Sequence, residues 1–418
     1  MRVLFVSFLF LTQSILFGQK TILMGGNIHT ASGVKIESGF LVFENDRIVY
    51  LGQNMPDTLG CKVINVQGKE IYPTFILPVS TIGLKETESV RATLDFNEVG
   101  QLNPNTRTQI AYNTDSELIP TIRANGIGLA QIIPRGGLLA GQSTVMKLSA
   151  WNWEDATVLK DDGMHLFWPS ILNSFGWWED AASQANENRN KQIEILNKLF
   201  TDAITYSKTS NSTKNLKLEA LINMLKGTQT LYIHADHSSE IIEALGFCTK
   251  YGIKKKVIVG AENSQKAISM LLETQTPVIF TRTHSLPPMQ HQAIDHPYRL
   301  CVEMIRKGLT VGLSYLGDME VMGCRNFPFT AGSLTAYGLT KEEALSLISL
   351  NVAKILGLEK DWGSLEVGKK ASFFVSSGDA LDIKTNNVEL LFIEGKNVDL
   401  ETKHTQLFKK YSQKYGIE

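Results

Sequence analysis

Histidine beside carboxylate is the pairing in this chain with the most chemistry in it. His234-Ala235-Asp236-His237 places two imidazoles and a carboxyl within four positions, where the apolar run Thr230 to His234 gives way to a helical pattern. A side chain at the end of such a strand faces the mouth of a barrel. His234 is therefore read as an acid–base group there, and His237 as a ligand contact. Asp318 follows the last apolar run and is the catalytic partner expected for His234, with Asp236 as the alternative. Arg135 also follows an apolar run; its planar fork suits a substrate carboxylate, and a surface ion pair is the other reading. Tyr315, with Arg325 and Asn326, forms a polar patch past the last run that either lines the mouth or faces solvent. His284, His291 and His296 share one long loop, as a ligand clamp or as mobile surface residues. His284 is taken as the ligand contact among them.

The bulk of the sequence excludes some classes. The chain has 418 residues with 41 Lys+Arg against 42 Asp+Glu, and 43% of it is hydrophobic. A net charge of −1 gives no electrostatic case for nucleic acid or an anionic membrane as main partner. Gly136-Gly137 and Gly141 lack the lysine spacing of a phosphate loop. Cys61, Cys248, Cys301 and Cys324 show no CxxC spacing and read as small buried hydrophobes, with a Cys301–Cys324 bridge left open. Met1-Arg2, the apolar Val3 to Phe17 and small Gly18 match a secretory peptide over residues 1–18. We therefore expect an exported protein, periplasmic or secreted, with no membrane span in the mature chain.

Alternation of pattern tells which elements must position these residues. Thr21 to Met24, Phe40 to Phe43, Arg47 to Leu51, Lys62 to Val66 and Glu70 to Tyr72 read as β-strands, broken by turn clusters. Ala371 to Val375 and Val388 to Ile393 have the same character, so one small sheet domain is expected from residues 19–73 and 365–400. Between them, short apolar runs alternate with helical segments, the mark of a parallel sheet with crossover helices. The strands are Phe75 to Leu77, Gly128 to Ile133, Thr230 to His234, Lys256 to Val259, Pro277 to Phe280 and Thr310 to Leu313. Thr340 and Glu343 make a capping box for a further helix. Residues from about 151 to 227 hold five of the six tryptophans and a polar helical stretch, read as an insertion on the rim of a barrel spanning 74–364. Residues 401–418 form a tail.

Several of these segments, in order, resemble the amidohydrolase superfamily and its imidazolonepropionase-like branch. They are Gly68 to Ile76 (GKEIYPTFI), Gly137 to Leu148 (GLLAGQSTVMKL), Leu231 to Asp236 (LYIHAD), Gly338-Leu339-Thr340, Asn351 to Gly357 (NVAKILG) and Gly363 to Lys369 (GSLEVGK). The resemblance implies a (β/α)8 barrel of the TIM type beside a small β-sandwich built from both chain ends. It also implies hydrolysis of non-peptide C–N bonds, with one or two divalent metals lowering the pKa of bound water from about 16 to ~7. Carried over position by position, the family's first-strand His-x-His falls on Val79 and Thr81, preceded by Leu77. Its strand-five histidine is kept as His234. The strand-six histidine falls on Gly260 or Ala261, and the strand-eight aspartate falls on Leu316, two residues before Asp318. Lys147 is the weak candidate for the fourth-strand bridging group.

A valine has no donor atom, and a neutral hydroxyl is a poor substitute for imidazole. We therefore expect no cofactor, or at most one divalent metal of the zinc type bound through His234. Three functions follow: a catalytically impaired relative that binds a small molecule, an active enzyme rebuilt around His234, or a partner subunit of itself or of an intact homologue.

Overall fold

The computed structural model describes residues 20–87, 89–172, 185–209, 213–287, 289–317 and 319–417. The expected leader, Trp177, Trp178 and Asp318 lie outside the described residues.

Two eight-stranded sheets organise the chain. The first opens with β1 (Thr21–His29), β2 (Lys35–Glu44), β3 (Arg47–Gly52), β4 (Lys62–Asn65) and β5 (Glu70–Pro73). The second comprises β6 (Phe75–Ser80), β7 (Ile127–Ile132), β8 (Leu139–Lys147), β9 (Thr157–Phe167), β10 (Thr230–His237), β11 (Lys256–Asn263), β12 (Val278–Phe280) and β13 (Val311–Leu313). The chain then returns to the first sheet with β14 (Phe373–Ser376), β15 (Val388–Ile393) and β16 (Lys396–Asn397). In that sheet β5 pairs with β14, so the two chain ends meet in one ladder. Its core, including Leu23, Phe43, Ile71, Phe373 and Phe392, is separate from the large one.

The second sheet runs β6 to β13 in chain order and is a nearly closed barrel. β6, β10, β11 and β12 lie on both-side-buried runs, which is why they read as continuous apolar stretches. The strands are not all parallel: β8 runs antiparallel to both β7 and β9. β8 and β9 were not expected as strands. Gly141 and the Asp161-Asp162-Gly163 turn-like cluster interrupt their apolar pattern, and Asp161 takes a left-handed φ of 51°. β9 lies inside the 151–227 segment read as a rim insertion, so the described part of that segment supplies a wall of the barrel. The polar stretch that follows folds as a helix over Arg189–Lys208.

Helices cross between the later strands, including Ser238–Lys250, His296–Arg306 and Lys341–Ser346. The last begins with the expected box: the Glu343 amide donates to Thr340 Oγ1, and the Thr340 amide donates to Glu343 Oε2. His29 joins the first sheet to this helix, with Nε2 2.6 Å from Glu70 and Nδ1 2.6 Å from Glu342. All four cysteines are free, so the Cys301–Cys324 bridge does not form. No helix among the described residues is long and apolar enough to cross a membrane.

Candidate functional site

The C-terminal ends of β9 to β13 enclose a cavity of about 520 Å³ lined by Arg135, Phe167, Trp168, His234, Asp236, Glu262 and Leu316, among others. β10 delivers two of these side chains. His234 and Asp236 are two apart and emerge on the same face of the strand. β10 lies beside β9 in parallel register, Tyr232 opposite His165 and His234 opposite Phe167.

That register brings His165 against His234, Nδ1 to Nε2 at 3.0 Å. His234 also stacks on Phe167 at 4.0 Å between ring centroids, and His165 on Tyr232 at 4.9 Å. Burial drives the pKa of His165 down to about 3. Burial, the neighbouring His165 and the charge of Arg135 hold His234 well below the usual histidine range. Both rings are thus neutral near pH 7, and one hydrogen bond between them uses a nitrogen of each. The other nitrogen of His165 is buried without a partner. His165 escaped the sequence reading because β9 did; the near-continuous apolar run Gly163 to Trp168 was the signal available.

Carboxylates occupy the next wall. Asp236 is open to the cavity, yet the surrounding protein and the charge of Glu262 push its pKa up to about 7. Glu262 is itself raised by burial, though Thr281 Oγ1 donates to its Oε1 at 2.6 Å. The Asp236 carboxylate reaches over Gly260, where an added Cβ would lie 2.3 Å from Oδ1. Gly260 also holds a φ of +111°, which L side chains rarely adopt.

The remaining expected residues divide between places. Arg135 lines the same cavity and makes no side-chain hydrogen bond or ion pair with the described residues. His237 also lines it, capping the Ser238–Lys250 helix, with Nδ1 3.2 Å from Asn263. Tyr315 and His284 line a neighbouring cavity instead. There Arg282 stacks over the Tyr315 ring at 4.4 Å, and His284 Nε2 lies 2.6 Å from Ser333 Oγ. Lys147 pairs with Glu394 of the first sheet at 2.8 Å, away from the mouth. Val79 and Thr81 are buried at the end of β6 and just beyond it. The Val79 amide donates to Gln131, and the Thr81 hydroxyl donates to Glu320 at 2.7 Å.

Comparison with known proteins agrees with this architecture. The Amidohydrolase family profile matches residues 303–398. An imidazolonepropionase of Symbiobacterium thermophilum is 30% identical over 148 residues, 35% of this chain and 33% of that protein. The chain therefore spans about a third of that relative's length. One from Flavobacterium psychrophilum is 22% identical over 406 residues, covering 87% of this chain and 92% of the relative. The crystal structure of an amidohydrolase from Thermotoga maritima superposes with a TM-score of 0.79 at 21% identity, over 91% of this chain and 99% of that one. The chain belongs to the amidohydrolase superfamily. Within the superfamily it falls in the imidazolonepropionase-like branch. A prolidase complexed with N-methylphosphonate-L-proline has the same fold at a TM-score of 0.56 and 17% identity, covering 91% and 100%.

The superfamily is usually metal-dependent, and this member's donors fit a metal poorly. Val79 offers carbon, the Thr81 hydroxyl is committed to Glu320, and His234 Nε2 is committed to His165. At Gly260 the space for a strand-six ligand holds the Asp236 carboxylate. Among the described residues no group of three or more His, Cys, Asp or Glu converges on one point. Cation coordination of the zinc type takes about three protein ligands.

Proposed function

We propose that this amidohydrolase-superfamily barrel binds a small, carboxylate-bearing C–N compound at its mouth and is impaired for metal-assisted hydrolysis. The observation that carries the reading is Arg135, a guanidinium with no described partner facing a cavity of about 520 Å³ whose aromatic wall is Phe167 and Trp168. A free planar fork is a strong receptor for a carboxylate. We read the two-ended sheet as the small β-sandwich of the family, and the apolar stretch Val3 to Phe17 as an export signal that places the protein outside the cytoplasm. Assembly with a second copy or an intact homologue is compatible with this role.

The experiment is calorimetric titration with a panel of cyclic amides, imides and dipeptides, each with and without a free carboxylate, in the presence and absence of chelator. We expect chelator-insensitive binding restricted to the carboxylates. Binding that disappears with chelator, or that ignores the carboxylate, contradicts the proposal.

One observation favours a second reading, metal-independent hydrolysis. Asp236, pushed up to about 7, and Glu262, itself raised by burial, share the cavity, and when one is protonated and the other ionised they form an acid–base pair. The first can give its proton to the departing nitrogen while the second takes one from the attacking water. Chelator-resistant turnover lost in Asp236→Asn supports this version; absence of turnover across the panel removes it.

A further inference from the structure

The barrel has a seam. No backbone ladder joins β13 to β6 among the described residues, and the sheet order ends at those two strands. On the lower half the chain segment at 347–348 fills the gap: the Leu313 amide donates to Leu347 O and the Ile76 amide to Ile348 O, both at 2.9 Å. On the upper half side chains take over. Ser314 Oγ donates to Pro78 O at 2.7 Å. Above it stands Glu320, 2% exposed, on the segment that follows β13. Its Oε1 accepts from Ser80 Oγ at 2.6 Å and from the Thr81 amide at 3.2 Å, and its Oε2 accepts from Thr81 Oγ1 at 2.7 Å.

The backbone on both sides is strained in a way that needs such an anchor. Val79 holds a φ of +56° and Met319 one of +54°. For a β-branched residue this is a true outlier, kept only where the surroundings over-determine it. The Gln131 side chain fixes Val79 from one side through its amide, and Glu320 fixes the next two residues from the other. A buried carboxylate costs a great deal unless its oxygens are satisfied, and here three donors, two of them at 2.6 and 2.7 Å, hold one group in place.

We infer that Glu320 seals the seam of the barrel mouth, holding the end of the first strand to the segment after the last, so that the mouth keeps its shape without a bridging cation. The inference deepens the carboxylate-binding reading above and rests on it for the role of the mouth. Glu320 is a positioning residue: Ser80 and Thr81 donate to its carboxylate, and the charge of Arg135 at the cavity acts on it without a direct bond.

The test uses the full mature chain, wild type, Glu320→Gln and Thr81→Val, by thermal unfolding and hydrogen–deuterium exchange. We expect wild-type Tm to move by less than ~1 °C with excess chelator or added zinc. Glu320→Gln is expected to lower apparent Tm by roughly 3–8 °C. Amides of residues 75–82 and 311–317 should exchange about tenfold faster in Thr81→Val, with the helix at Arg189–Lys208 unchanged. Thr81→Val loses one bond only and carries the test if Glu320→Gln does not fold. Chelator lowering the wild-type Tm as far as Glu320→Gln does, or both variants matching wild type, overturns the inference. Carboxylate binding that fails while these shifts appear removes the functional proposal and leaves the seal; intact binding with no shifts does the reverse.

Discussion

His165 and His234 share one hydrogen bond, Nδ1 to Nε2 at 3.0 Å, across adjacent parallel strands of the barrel wall. Each imidazole thereby fixes the tautomer and orientation of the other. The nitrogen of His234 that meets His165 is not free to grip a cation.

The first prediction concerns acid. His165 titrates near 3 when folded and near ~6.5 when unfolded, so the unfolded chain binds more protons below that value. The native state is at full advantage above about 6.5 and loses roughly 1.4 kcal/mol for each pH unit below it. The carboxyls of Asp236 and Asp162, raised to about 7 and about 6, push the total slope the other way, so the prediction is a difference: between pH 6 and 5 denaturant unfolding of His165→Gln should lose less stability with falling pH than wild type, by about that amount. An unchanged slope in the variant would put the ring in water rather than in the wall.

Arg135→Ala should weaken carboxylate binding by about 10- to 100-fold, the value of a charge-assisted hydrogen bond. Arg135 makes no side-chain hydrogen bond or ion pair with the described residues, but its charge favours the ionised form of the buried Glu320, so Tm should fall by less than the roughly 3–8 °C expected for Glu320→Gln. Titration calorimetry with unfolding on the same samples checks both halves.

Asp236 should make binding of an anionic ligand depend on pH. Below about 7 its carboxyl is neutral; above that it is ionised and repels a carboxylate. Affinity should fall about three- to tenfold from pH 6 to pH 8, since water in the cavity screens the charge. In Asp236→Asn the same two titrations should give matching affinities.

Gly260→Ala should cost about 2–4 kcal/mol, because the new Cβ meets both a left-handed φ and the Asp236 carboxylate. Adding Asp236→Ala should recover part of that loss, leaving the backbone strain. A double variant no more stable than the single one would show that contact to be harmless.

Much of the fold was legible because its signals are local. The Glu394-Gly395-Lys396 turn, and apolar runs such as Lys256 to Val259, each need only their neighbours to form. Gly25-Gly26-Asn27, which reads as a turn ending the first strand, instead lies inside β1, where register shifts against β2 absorb the glycines as a bulge. β8 and β9 were missed because their pairing is antiparallel and broken by register shifts at Leu139/Gly141 and Ser143/Val145, which blur any period. The site was legible in part. His234, Asp236 and Arg135 stand where strand ends put them, whereas His165 went with its unread strand. Glu320 could not be found at all: that a carboxylate is buried against a strand 240 residues away is a property of the closed barrel, with no trace in the residues around it.

The central claim is that this mouth is organised by its own side chains and not by a metal ion. Mass-spectrometric metal analysis of the mature protein, purified without metal-affinity steps, tests it most directly. We expect zinc, iron, manganese, cobalt and nickel together to stay well below one ion per chain. One ion or more per chain, retained through dialysis and lost in His234→Ala, would contradict the account.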